Sequence, residues 1–269
     1  MQESFELKKK MQKGKPIERL PIGVPKLDEL LGGGLPKGST TLVSGPPGSG
    51  KTILCYNFLY QGVQHGEKCL FLTLDKQVDG LLTQAEGLGF DFQPFIGNGL
   101  AKFLFLNINK KMVYETMLNE ILTGTYNRIA LDSITPLSEM PILVSSERRS
   151  NDLSEFDSED YAEGKLPIRR LHLMFIVQAL ETAKTTALIT SEIPMGSPFL
   201  SRDSITEYLV DGVISLSYNP DSSSRTLSII KMRNTKHNMF KHSMEIDVGG
   251  ITITPKTGAR PGPRPPDGV

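Results

Sequence analysis

Gly45-Pro46-Pro47-Gly48-Ser49-Gly50-Lys51-Thr52 meets the pattern G-x-x-x-x-G-K-[ST] at every fixed position. Each fixed residue type has a chemical reason. Glycines let a backbone wrap a polyphosphate with its N–H groups turned inward. A helix leaving such a loop presents its positive N-terminal end to the same anion. Lys51 is placed to reach the β- and γ-phosphates, and the Thr52 hydroxyl to hold Mg2+. The flanks agree. Residues 40–44, Thr-Thr-Leu-Val-Ser, read as a short buried strand running into the loop. Residues 52–64 read as the helix leaving it, with Ile53, Tyr56, Asn57, Leu59, Tyr60 and Val63 alternating between core and outer face.

Outward from the loop, short apolar strands alternate with helices. Residues 69–74, 102–106, 128–132 and 186–190 read as strands, and 78–88, 112–122 and 166–183 as helices. Near-continuous apolar strands separated by helices imply a mostly parallel sheet covered on both faces, an α/β fold. The last third changes character. Residues 212–218, 225–232, 243–248 and 251–254 read as strands with little helix between them, so antiparallel pairing is expected at that edge.

The chain has 269 residues, enough for one large domain with tails. Lys+Arg and Asp+Glu each total 30, and this zero formal net charge gives no global support for nucleic-acid binding. Residues 1–20 read as a basic arm with Lys8, Lys9, Lys10, Lys13 and Lys15; the folded domain that carries the phosphate loop is expected over 21–256. Within it, 145–163 is an acidic, serine-rich stretch expected to be a mobile surface insertion. Residues 257–269 are rich in Pro and Gly and are expected to be a disordered tail. Cys55 and Cys69 read as core thiols, and His65, His172, His237 and His242 show no metal spacing. No apolar run is long enough to span a bilayer, and the polar N-terminus has no apolar signal core, so a cytoplasmic protein without membrane insertion is expected.

A phosphate loop of this kind needs a second carboxylate near Mg2+, at the end of a neighbouring buried strand. Arg128-Ile129-Ala130-Leu131-Asp132 supplies one, and Asp132 is assigned to Mg2+ with Thr52.

At this point the chain resembles a known family. Leu27-Asp28-Glu29-Leu30-Leu31-Gly32-Gly33-Gly34-Leu35-Pro36-Lys37-Gly38-Ser39 leads straight into the loop and is similar to the lead-in of RecA-superfamily ATPases. The resemblance is to the KaiC-like branch, related to RadA-type recombinases. It extends to 71–75, to Thr190-Ser191-Glu192, and to Lys231-Met232-Arg233-Asn234-Thr235-Lys236-His237, over roughly 20–254 apart from the acidic stretch. It implies a single RecA-type P-loop NTPase domain with ATP and Mg2+ as ligands. It further implies a homo-oligomeric ring, commonly a hexamer, with ATP between subunits. On that basis Lys231 and Arg233 act in trans on the neighbour's γ-phosphate, while Met232, Thr235 and His237 belong to the same nucleotide site.

The chain also departs from the family. After the second strand the family carries a carboxylate pair that orients the attacking water; here the positions hold Asp75 and Lys76. Asp75 is the expected base, with help from Glu192, or Lys76 pairs with Asp75 and silences it. Slow ATP hydrolysis is expected, because a small misplacement of the base costs about 100-fold in rate. Three functions follow in order: a KaiC-like ATPase whose nucleotide state controls assembly or an unnamed protein partner, a RadA-like DNA-binding ATPase, and a nucleotide-gated scaffold without useful hydrolysis. Autokinase activity belongs to the family's repertoire, and no acceptor serine or threonine is assigned.

Overall fold

The computed structural model describes residues 17–108, 112–139 and 168–254. The lysine cluster, the acidic stretch 145–163 and the tail 257–269 lie outside the described residues. The elements in chain order are β1 (Arg19–Leu20), α1 (Pro25–Leu30), β2 (Leu35–Pro36), β3 (Thr40–Gly45), α2 (Lys51–Gln64), β4 (Cys69–Thr73), α3 (Val78–Gly87), α4 (Gln93–Gly97), β5 (Ala101–Phe105), α5 (Val113–Thr123), β6 (Arg128–Asp132), α6 (Thr135–Glu139), α7 (Ile168–Thr182), β7 (Thr186–Glu192), α8 (Thr206–Leu209), β8 (Gly212–Asn219), β9 (Ser224–Met232), β10 (His242–Asp247) and β11 (Gly250–Thr254).

One nine-stranded sheet organises them, in the order β11-β10-β9-β8-β3-β7-β6-β4-β5. The strands from β8 to β5 are parallel, and β9, β10 and β11 add antiparallel at one edge. This is the α/β architecture with an antiparallel C-terminal edge that the strand pattern predicts. The central strands β3, β4 and β6 are buried along their whole length, as parallel strands covered on two faces must be. Alternation along each strand then sorts residues between two cores. Phe71, Ala130 and Leu188 face the α2 side, while Leu70, Leu72, Ile129, Leu131 and Ile189 join Met117, Ile121, Leu173 and Ile176 on the side of α5 and α7.

Helix α2 differs from the alternating reading. Leu54, Cys55, Tyr56, Asn57, Phe58, Leu59 and Val63 are all buried, with Ile53 and Tyr60 half-buried. The reason is a second layer on its outer side. Asn57 Oδ1 accepts from Ile251 N at 3.0 Å, and Asn57 Nδ2 donates to Gly249 O at 3.2 Å and Gly23 O at 3.4 Å. The helix is thus enclosed between the sheet, the β10–β11 turn and the lead-in segment.

That lead-in is ordered from before residue 21. β1 and β2 form a small antiparallel sheet, Arg19 opposite Pro36 and Leu20 opposite Leu35. Asp28 accepts from Ile22 N at 2.7 Å and Gly23 N at 3.1 Å, fixing the turn into α1. Arg128, 1% exposed, donates to Pro21 O and Phe58 O, pairs with Glu67, and lies over the Phe58 ring at 4.9 Å. One buried cation therefore joins the lead-in, α2 and β6.

Candidate functional site

Strand register brings the candidate residues to one edge. Gly45 pairs with Glu192 across β3–β7, and Thr73 with Asp132 across β4–β6, so four parallel strands end side by side. Ligands of open parallel sheets bind at such carboxyl ends.

The loop 45–50 bends back over this edge. A Cβ on Gly45 would come within 2.6 Å of both Leu216 O and Ser49 Oγ, so only glycine fits where the loop leaves β3. Gly50 takes a left-handed φ of 105° as N-cap of α2 and lies against Met244 and Ile246 of β10. Lys51 Nζ donates to Gly45 O at 2.8 Å and Pro46 O at 3.1 Å, folding the lysine along the inside of the loop. Its ammonium is buried, and desolvation lowers its pKa against the pull of Glu192 and Asp132, with Lys76 adding to the lowering. Ser49 Oγ is buried in the same loop without a hydrogen-bond partner. An inward lysine, an orphaned hydroxyl and the N-terminal end of a 14-residue helix fit a polyphosphate. Pro47 and Gly48 form the exposed crest of the loop, and Ile53 packs against the core behind it.

On the other side of Lys51, Thr52 Oγ1 donates to Asp132 Oδ2 at 2.7 Å, and Thr190 Oγ1 donates to Asp132 Oδ1 at 2.5 Å. Asp132 is buried, so both its oxygens are oriented before any ligand arrives. Among the described residues no group of three or more His, Cys, Asp or Glu is placed to hold a metal ion. The Thr52–Asp132 pair suits Mg2+, which keeps several waters and takes phosphate oxygens as its remaining ligands. Asp75 and Lys76 follow β4 beside it. Asp75 Oδ1 accepts from Thr73 Oγ1 at 3.3 Å, and Lys76 Nζ lies 3.5 Å from Thr52 Oγ1. Desolvation and the charge of Asp132 raise the Asp75 pKa, Lys76 and Thr73 oppose, and Glu192 adds to the rise. Glu192 ends β7 and is exposed, its N–H donating to Thr135 Oγ1 at 3.0 Å. Lys51, Thr52, Asp75, Asp132 and Glu192 therefore share one site.

Lys231, Met232, Arg233, Thr235 and His237 do not join them. β9 runs antiparallel to β8, placing Met232 opposite Gly212, which itself pairs with Thr41 at the start of β3. These residues sit at the amino edge of the parallel strands, and β3 alone separates the two edges by about 17 Å. Lys231 Nζ donates to Val210 O at 2.6 Å and Glu207 O at 3.2 Å; desolvation, then Arg233, lowers its pKa against Asp211. Met232 is buried, with Thr41 Oγ1 4.0 Å from its sulfur, so its side chain is turned into the core and away from any ligand. Arg233 is exposed and pairs with Asp211 at 3.2 Å. Arg19 donates to Thr235 Oγ1 at 3.0 Å and Asn234 O at 2.9 Å, and His237 Nδ1 is 3.1 Å from Thr235 O.

Sequence reasoning quoted Thr190 only within the Thr190-Ser191-Glu192 resemblance and gave no site role to it, to Asp211 or to Arg225. Thr190 stands one residue beyond the Leu131–Ile189 pair, which makes it the neighbour of Asp132. Arg225 Nε donates to Gly48 O at 3.0 Å while its guanidinium lies 5.2 Å from the Tyr218 ring centre, tying the β8–β9 hairpin to the loop crest. Asp211 and Arg225 carry no motif, and a strand order would have been needed to find the partners of all three.

Sheet order, loop and flanking carboxylates define a P-loop nucleotide-binding protein of the RecA superfamily. The family described as ATPase: KaiC matches residues 20–147 and 159–258, and the chain belongs to it. A UPF0273 protein of Methanopyrus kandleri is 26% identical over 260 residues, covering 89% of this chain and 93% of the relative. The circadian clock oscillator protein KaiC 1 of Synechocystis is 27% identical over 90% of this chain, which spans 45% of that protein. The crystal structure of a KaiC-like protein from Pyrococcus horikoshii superposes with a TM-score of 0.71 at 28% identity, covering 89% of this chain and all of that one. Family membership supports nucleotide binding, and no helix among the described residues is long and apolar enough to cross a membrane.

Proposed function

We propose that this chain binds ATP with Mg2+ between the subunits of a homo-oligomeric ring and hydrolyses it slowly, so that nucleotide state controls assembly or a protein partner. The carrying observation is the placement of Lys231 and Arg233 at the edge of the sheet opposite the phosphate loop. One protomer holds both halves of a site but cannot bring them together; a head-to-tail neighbour can, and closed rings are built from such heterologous contacts. In this arrangement Lys51 and the loop backbone hold the phosphates, and Thr52 and Asp132 hold Mg2+. Held there, the ion would supply positive charge against the phosphates. Asp75 takes the proton of the attacking water, and the neighbour's Lys231 and Arg233 stabilise charge on the departing phosphoryl group.

Slow turnover follows from the same residues. Asp75 is one methylene shorter than glutamate, and the charge of Lys76 beside it favours the carboxylate and so weakens it as a base. Mg2+-dependent ATP hydrolysis by the purified chain, with and without single-stranded DNA, tests the reading. The expected outcome is turnover below about 1 per second, unchanged by DNA. Hydrolysis stimulated by DNA would replace this reading with the recombinase-like one, whose support is the lysine cluster of residues 8–15 and, in the loop after β7, the aromatic Phe199 and the cation Arg202. Binding without hydrolysis would leave the scaffold.

A further inference from the structure

Lys76 stands at the position where the family resemblance calls for an acid, and its ammonium reaches into the pair assigned to Mg2+. Lys76 Nζ is 3.5 Å from Thr52 Oγ1, the hydroxyl that donates to Asp132 at 2.7 Å. Its backbone is fixed as well, with Lys76 N donating to Thr73 Oγ1 at 3.3 Å. The site thus holds two cations, Lys51 and Lys76, against three carboxylates, Asp75, Asp132 and Glu192; Lys76, Asp132 and Glu192 lie within electrostatic reach of both Lys51 and Asp75. Two positive charges against three negative leave one negative charge. A glutamate at 76 would leave three. The difference of two units is the charge of one divalent cation.

We propose that Lys76 is a built-in counter-cation of the phosphate site, so that ATP binds this chain with little dependence on Mg2+. The inference rests on the nucleotide-binding reading above. A lysine suits the role because its ammonium is a compact point charge with three donors on a flexible stem, able to follow phosphate oxygens. It does not replace the metal in turnover: an ammonium cannot give the fixed octahedral ligand set that aligns a phosphoryl group with its attacking water. Binding and hydrolysis therefore respond differently to the metal, and the protein keeps its nucleotide when Mg2+ is withdrawn.

The test is titration of the full chain with a fluorescent ATP analogue, once in excess Mg2+ and once in EDTA. Wild type is expected to lose about threefold in affinity or less on metal removal, and Lys76→Gln about tenfold or more. Lys76→Glu is expected to lose more still, and Lys76→Arg, which keeps the charge, to behave as wild type. Lys76 is exposed, and thermal unfolding of each variant checks that its fold is intact. A wild type that loses tenfold or more in EDTA, or a Lys76→Gln variant with the wild-type metal dependence, would overturn the role of Lys76 while leaving nucleotide binding in place. Undiminished binding by Lys51→Ala would instead overturn the phosphate-loop reading and the Lys76 proposal with it.

Discussion

Asp75 has the least settled environment in the site, because its neighbours pull its carboxyl in opposite directions. Partial desolvation, Asp132 and Glu192 favour the protonated form; Lys76 and the Thr73 hydroxyl favour the carboxylate. The net shift is upward. A base works only when ionised, so hydrolysis should rise with pH through this raised pKa. Asp75→Asn is expected to remove that limb and lower kcat about 100-fold, as judged from pH–rate profiles. Lys76→Gln removes the opposing cation, so its limb should move to higher pH. For folding the sign is reversed. A carboxyl whose pKa is higher in the folded state contributes stability below its unfolded value of about 3.9, and that contribution is lost as pH rises through the folded value. At this scale the loop residues and Asp132 were legible in the sequence because each has a fixed chemical neighbour along the chain: a strand before it, or a glycine loop beside it. Thr190 and Arg225 were not, because their partners are set by strand order rather than by spacing.

At the scale of elements, the enclosure of α2 is what holds the loop in place. Asn57 carries three hydrogen bonds from the helix to the lead-in and to the β10–β11 turn, and it is 4% exposed. Asn57→Ala strips partners from Ile251 N and Gly249 O in a buried setting. The expected cost is about 2–3 kcal/mol in denaturant unfolding, with weaker nucleotide binding measured by titration. The strand–helix alternation of the first two thirds was readable from apolar periodicity, and so was the antiparallel edge. The all-round burial of α2 was not. Periodicity assumes one covered face, and the second cover comes from strands about two hundred residues away. The small β1–β2 sheet escaped for a different reason: two-residue strands carry no period to read.

For the whole molecule, the decisive geometry is the separation of the two candidate half-sites by the length of a strand. If Arg233 acts on a neighbour, Lys51→Ala and Arg233→Ala disable different partners of the same interface. Each variant alone is expected to be inactive. An equal mixture should recover roughly a quarter of wild-type hydrolysis, since one interface in four pairs an intact loop with an intact arginine. No recovery from a mixture shown by native mass spectrometry to be co-assembled would place Arg233 outside the reaction. Asp211 belongs to this scale too. It accepts from Thr40 N at 3.0 Å and pairs with Arg233, so it joins the base of the loop strand to the end of β9.

The packing of Gly50 against Met244 and Ile246, together with the bond from Asn57 to Ile251 across 194 residues, also has a consequence in time. The phosphate loop leaves the ribosome about two hundred residues before the strands that press it into shape. At about 5–20 residues per second, the loop waits some 10–40 s for them. Through that interval a nascent chain carries its nucleotide motif without the support of β10 and β11. Setting of the loop is thereby deferred until β10 and β11 have been made.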